Sequence, residues 1–331
     1  MYNVANISDN DKRILFRNTA QQMGVHESIV EKDFWVCLTL DYLFHLNYYR
    51  NSFIFKGGTS LSKAYGLIHR FSEDIDLILD WQVLGYGRKE PWNPRSKTQQ
   101  DRFNKEANDK GAEFLKTALL PLLNEDFSAM LKNRVEFRID EDPLVIKFNY
   151  PLVFEESPVM QSIRLEIGVL AAWSPSNFKV ITPYVADNYR KIFQKPNTQI
   201  KTAAAERTLW EKLTILHQEA NRPQNKPMPP RYSRHYYDLY CIANSSYKDK
   251  AFKNLDLLDD VVKFKQKFYP RSWARYENAK PGSIMLVPPR YNLGVLRNDY
   301  ESMKSMLYGD YPTFDELMNF IGLLENEINQ I

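Results

Sequence analysis

Apolar and polar positions divide the chain into two parts of different texture. "ISDNDKRILFRNTAQQMG" carries its apolar residues at helical spacing, with Ser8 placed to cap the start and Gly24 to stop it. "HESIVEKDFWVCLTLDYLFHL" continues as a second helix, Val30, Phe34, Leu38 and Tyr42 recurring every fourth residue. The period then changes. "SFIF" is a short buried strand closed by Gly57 and Gly58, and "TSLSKAYGLIHR" predicts a helix from Thr59 or Ser60 onward. "DIDLILDW" alternates, with Ile75, Leu77 and Leu79 on one side and Asp74, Asp76 and Asp80 on the other. Residues 86–110 are polar and broken by proline, predicting an exposed loop that turns helical before the amphipathic "GAEFLKTALLPLLNEDF". Three strands follow, "RVEFRID", "PLVIKFNYPLVF" and "QSIRLEIGVLAAW", the last two joined by "EESPVM" as in a hairpin. From "TQIKTAAAERTLWEKLTILHQEA" onward helical periodicity dominates, interrupted by the proline-rich "NRPQNKPMPPRYSR". The pattern predicts an α+β protein: a mixed sheet flanked by helices over residues 1–190, then a mainly helical domain over 191–331.

Composition narrows this picture only slightly. A length of 331 residues suits two domains of ordinary size, and 44% hydrophobic with 26% charged residues is ordinary globular composition. A formal charge of +3 is too small to argue for nucleic acid, so any basic site must be local. Cys37 and Cys241 lie far apart in apolar surroundings, which predicts reduced, buried thiols and neither a metal site nor a disulfide framework. The opening "MYNVANISDNDKR" is polar and acidic, and no apolar run approaches the ~18 residues of a membrane span. A cytoplasmic protein without membrane partners is the expectation.

Candidate chemistry starts from the aspartates. Asp74 and Asp76 stand i, i+2 on a strand, so their side chains leave on one face. Two such carboxylates repel unless a proton or a cation joins them. Mg²⁺ takes oxygen ligands and typically combines one or two carboxylates with substrate phosphates. By itself D-x-D is more often a solvated strand face. Upstream, "KGGTS" follows an apolar strand and opens a helix, leaving backbone N–H groups and the positive helix end able to meet phosphate. Gly57 and Gly58 permit close backbone approach, while Thr59 or Ser60 offers a hydroxyl. A plain capped turn is common; a phosphate-type turn and a carboxylate pair on successive strands is much less so.

These residues resemble the nucleotidyltransferase superfold, in which a glycine turn, a D-x-D strand and a third acid on a later strand form the site. More narrowly, the chain resembles the AbiEii/AbiGii toxin family, the group that includes the MenT toxins. Four segments carry the likeness: "IVEKDFWV" (29–36), "FKGGTSLSKAYGLIHRFSEDIDL" (55–77), "ERTLWEKLTILHQEA" (206–220) and "RYSRHYYDLYCI" (231–242). The resemblance implies that Asp74 and Asp76 hold catalytic Mg²⁺ or Mn²⁺ and that Gly58, Thr59 and Ser60 contact the triphosphate of an NTP. It implies that Lys212 reaches those phosphates and that Asp238 is an acid needed for activity. Read from the residues alone, Lys212 is a solvated lysine beside the Leu209, Leu213 and Leu216 stripe, and Asp238 a partner for Arg234 one helical turn earlier.

The remaining candidates are weaker. Glu166 is the best third metal acid, although Arg164 on its face favours an ion pair equally. Arg70 could pair with Glu73 or contact phosphate. Lys56 and Lys63 flank the turn and could steer triphosphate, surface lysine being the ordinary reading. Glu31, Lys32 and Asp33 point to structural ion pairs, and His217 and His235 to polar surface or nucleic-acid contacts. Arg222, Lys226, Arg231 and Arg234 with Tyr232, Tyr236 and Tyr237 form a basic-aromatic cluster suited to RNA backbone contact and stacking, or an ordinary loop beside a helix. The family resemblance makes the acceptor an RNA, especially a tRNA 3′ end, the role a toxin of a toxin–antitoxin or phage-defence pair, and the partner a cognate antitoxin. Two other readings stay open: modification of a protein hydroxyl at the same site, and a non-catalytic nucleotide- or antitoxin-binding module. The last ~90 residues carry no motif.

Overall fold

The computed structural model describes residues 1–331 apart from Glu73, Asn133, Arg134 and Trp173. The chain divides into two compact units, Met1–Ala64 with Ser72–Ala203, and Tyr65–Phe71 with Ala204–Ile331. The first extends past the expected boundary at 190 because a further strand, residues 198–203, pairs into its sheet. No helix among the described residues is long and apolar enough to cross a membrane.

Among the described residues of the first unit, seven strands form one mixed sheet: β1 (Phe53–Lys56), β2 (Asp74–Leu79), β3 (Glu136–Ile139), β4 (Val145–Asn149), β5 (Ile163–Gly168), β6 (Ser176–Ile181) and β7 (Thr198–Ala203), in the order β3-β4-β5-β2-β1-β7-β6. Alternation sorts the two faces as the sequence predicts. Phe53, Phe55, Ile75, Leu77, Leu79, Ile146, Phe148, Leu165 and Ile167 are buried in one hydrophobic core. Asp74, Asp76, Arg164 and Glu166 occupy the other face. β4 and β5 pair antiparallel, as in the expected hairpin, but through a longer connection. β6 and β7 are not anticipated by the sequence pattern. "TQIKTA" is a strand instead of the start of a helix, because Thr198, Ile200 and Thr202 alternate into buried positions beside β6 and β1.

The helices of this unit are α1 (Tyr2–Ala5), α2 (Asp9–Met23), α3 (Glu27–Asp41), α4 (Gly57–Lys63), α5 (Lys97–Phe114), α6 (Leu120–Met130) and α7 (Tyr184–Asn188). Ser8 caps α2 by accepting from the Asp11 N–H, and Gly24 ends it. α3 is buried over nearly its whole length, Glu31, Lys32 and Asp33 included, and each of these polar groups is anchored within the unit. Lys32 Nζ donates to the Met160 carbonyl at 2.9 Å, and the Val153 N–H donates to Glu31 at 2.7 Å. Cys37 is buried, as expected, and Cys241 only half-buried.

Burial pushes the Glu31 carboxyl up to about 7 from its ordinary 4.5, against the pull of two backbone N–H donors and of Lys12 and Arg13. A raised acid holds its proton more tightly in the folded state, so its contribution is intact below pH ~4.5 and lost as pH rises through about 7, ~3 kcal/mol in all. Glu31→Gln keeps the acceptor and removes the titration. It should therefore gain stability over wild type at pH 8 but not at pH 4.5. Urea midpoints at the two pH values measure this; an equal shift at both would refute it.

The second unit is built on α8 (Ala205–Ala220), α9 (Ser233–Ala243), α10 (Tyr247–Phe252), α11 (Leu255–Phe268), α12 (Arg290–Met303) and α13 (Phe314–Asn329). The helix expected over 59–70 ends at Lys63, since Gly66 sits in the left-handed region at φ +62°. The segment that follows bridges to residues 306–308 within this unit: the Phe71 N–H donates to the Met306 carbonyl at 2.8 Å and the Tyr308 N–H to the His69 carbonyl at 2.9 Å.

Candidate active site

The first unit joins the glycine turn to the aspartate strand. β1 and β2 pair antiparallel with Lys56 opposite Asp76, so the turn after β1 lies at the end of β2 that carries the acids. Gly57 has φ +77°, a conformation L side chains rarely adopt, and a Cβ there would collide with the Asp76 carboxylate. Glycine is thus required twice over, for the backbone and for the carboxylate lying against it. The Thr59 hydroxyl donates to the Asp74 carbonyl at 2.5 Å and the buried Ser60 hydroxyl to the Gly57 carbonyl at 2.8 Å. Both hydroxyls shape the turn. The N–H groups of the first turn of α4, which lack intrahelical partners, are what can meet an anion.

Asp74 and Asp76 are half-exposed on β2. Across the parallel pairing with β5, Asp74 faces Arg164 and Asp76 faces Glu166. Arg164 Nε lies 3.1 Å from Asp140 and its Nη2 3.8 Å from Glu166, an ion pair that competes with a metal role for Glu166. Among the described residues no three His, Cys, Asp or Glu side chains converge enough to hold a metal ion. The donors that fit a hard divalent cation are the i, i+2 carboxylates, a pair that leaves coordination positions for substrate oxygens.

The second unit holds a separate ionic cluster. Asp238 is fully buried on α9 and receives two cations: Arg70 in a bidentate pair, Nε at 2.7 Å and Nη2 at 3.0 Å, and Lys212 Nζ from α8 at 2.7 Å. Lys212 Nζ also lies 3.0 Å from His235 Nδ1. Burial alone would raise the Asp238 carboxyl; Arg70 and Lys212 hold it well below the ordinary carboxylate range. Burial, then the nearby Lys212 and Arg234 charges, push His235 well down, so its ring is neutral and able to accept from the ammonium.

Several sequence expectations are redistributed. Lys63 is not a surface lysine: its ammonium is buried against Asp33 at 2.7 Å and lies over the Tyr184 ring. Arg70 binds Asp238, and its alternative partner Glu73 lies outside the described residues. Asp238 is held by Arg70 and Lys212, not by Arg234 along the helix. Lys212 is buried instead of solvated. Of the proposed RNA contacts, Arg222 is buried in a bidentate pair with Glu219, and Tyr237 is buried with its hydroxyl accepting from the His69 N–H. Arg231 is exposed, its backbone N–H donating to Asp299, and Arg234 is half-buried. His217 is fully buried between the Arg275 carbonyl and the Met285 N–H, a structural role in place of a surface one. The links that sequence reasoning misses, Arg70 to Asp238 and Lys212 to His235, span 168 and 23 residues and leave no local signal.

Residues 41–320 match a protein-family model described as nucleotidyl transferase AbiEii toxin, type IV toxin–antitoxin system. No curated protein sequence matches the chain. Among solved structures, the nucleotidyltransferase toxin MenT4 of Mycobacterium tuberculosis H37Rv is similar at 16% identity with a TM-score of 0.44, over 96% of this chain and 97% of that one.

Proposed function

This chain belongs to the AbiEii nucleotidyltransferase toxin family, whose type IV toxin–antitoxin description implies an antitoxin partner, and we propose that it transfers a nucleotide from a nucleoside triphosphate to an RNA end, most specifically a tRNA 3′ end. One observation carries the reading. The Asp76 carboxylate occupies the space that any side chain at Gly57 would need, and this close packing supports reading the phosphate-type turn and the D-x-D strand as parts of one site.

Asp74 and Asp76 are the residues that would hold Mg²⁺ or Mn²⁺, which supplies Lewis-acid neutralisation of charge on the α-phosphate. The N–H groups opening α4 meet the remaining phosphate oxygens, and Gly57 and Gly58 keep side chains out of their way. The acceptor hydroxyl oxygen bonds to the α-phosphorus as the bond to the bridging β-phosphate oxygen breaks; pyrophosphate leaves and the hydroxyl proton passes to solvent. Lys212 and Asp238 are assigned to activity through the second unit, with Asp238 as the carboxylate that keeps Lys212 and Arg70 in place.

The test is to incubate the protein with each labelled nucleoside triphosphate, Mg²⁺ or Mn²⁺, and either total tRNA or cell protein. Label in the tRNA fraction is expected. Label only in protein would move the acceptor to a side-chain hydroxyl, and no label in either fraction would remove the transferase reading.

A further inference from the structure

With Arg222 and Tyr237 committed to the core of the second unit, Arg231 and Arg234 are left of the expected RNA contacts, and the sheet of the first unit offers a further cationic surface. Its strand registers place Asp74 opposite Arg164, Arg164 opposite Lys147, and Lys147 opposite Arg138. Four strands thus present one continuous row, an aspartate followed by three cations. The row lies on the face away from the core, since the alternating neighbours Phe137, Ile146, Phe148, Leu165 and Ile75 are buried.

The row is electrostatically unfavourable by itself. Like charges directly opposite one another destabilise a sheet. Arg164 is partly compensated by Asp140 at 3.1 Å and Glu166 at 3.8 Å. No ion pair joins Lys147 or Arg138 to a described residue; Arg138 is exposed and Lys147 half-buried. Of the two adjoining rows, one holds Glu136, which sits opposite Asn149 and accepts from its amide at 3.1 Å; the other holds Asp76 opposite Glu166, with Asp140 two residues beyond Arg138, and its acids meet the row at Arg164. Strands ~4.8 Å apart spread these cations over about 10 Å. A linear polyanion matches that arrangement, and the row gives it a direction, because it terminates at Asp74.

We propose that Arg164, Lys147 and Arg138 form a track for the phosphodiester backbone of the RNA acceptor, leading its end along the sheet towards Asp74. The track rests on the RNA-acceptor reading above and adds where that RNA lies. No aromatic side chain belongs to the row, so the contact is to phosphate, independent of sequence and strongly dependent on salt.

Binding of a fluorescent mixed-sequence single-stranded RNA to the full chain, without nucleoside triphosphate and across 50–200 mM salt on the order of that used for such titrations, tests it. The double variant Arg138→Gln/Lys147→Gln should bind about tenfold more weakly at the low-salt end, and its slope of log affinity against log salt should be shallower by about 1.4, ~0.7 for each lost phosphate contact. Glu136→Lys, which extends the cationic surface, should bind more tightly with a steeper slope, a gain that misfolding does not produce. Wild-type affinity and slope in the double variant overturn the track while leaving the RNA-acceptor reading standing. Absence of RNA binding by the wild type, with label entering protein, overturns both.

Discussion

Asp76→Asn is expected to lower nucleotidyl transfer by about a thousandfold or more, the loss of ~4 kcal/mol of transition-state stabilisation. The substitution is nearly isosteric, which matters here because the side chain lies against Gly57 with no room to spare. It removes charge without disturbing the turn, and because Asp76 is half-exposed the melting temperature should scarcely change. Asp74→Asn should behave alike, since its i, i+2 spacing gives it the other half of the platform. The measurement is label transfer under saturating Mg²⁺ or Mn²⁺, paired with a melt of each variant. Activity within tenfold of wild type, from a folded variant, would exclude the pair as the catalytic platform.

The second large effect is on stability. Asp238→Ala removes the carboxylate that both Arg70 and Lys212 meet in the buried cluster, and breaking a buried ion pair from one side costs about 3–5 kcal/mol. Lys212→Met removes one cation and leaves Asp238 its bidentate Arg70, so its cost should be much smaller. Both variants should lose activity, but only in Lys212→Met does the loss report the chemistry of the side chain. Hydrogen exchange of α8 and α9 amides resolves the two, with protection falling far more in Asp238→Ala. Equal protection in the two variants would mean that Asp238 does not organise the cluster. The pH dependence has a definite sign. The Asp238 carboxyl is depressed in the fold, so its contribution is present above its ordinary value of 3.8 and is lost as pH falls below it.

The fold was legible where one period dominates and each element answers to its own residues. α2 and α3 follow from helical spacing with Ser8 and Gly24 at the ends of α2, and β2 from its strict alternation. β7 was not legible, because "TQIKTA" runs straight into alanines that favour helix and only pairing with β1 and β6 decides for strand. The 59–70 segment failed for a related reason. Its composition favours helix to Arg70, yet Gly66 and the bridge to residues 306–308 draw its second half away.

For the site, sequence alone determined the local halves: a glycine turn after a strand, and two aspartates on one face of the next. Residue type and a period of two or four neighbours suffice for that, since covalent geometry fixes where adjacent side chains point. Tertiary structure decided everything that depends on residues far apart in the chain. It set Asp76 against Gly57, moved Lys63 to Asp33 and Arg70 to Asp238, buried Arg222, Tyr237 and His217, and aligned Arg164, Lys147 and Arg138 into one row. The physical reason is that the partner of a charge is chosen by burial and register. A cation read in sequence is only a cation; which anion it meets is settled when the strands pair and the helices pack.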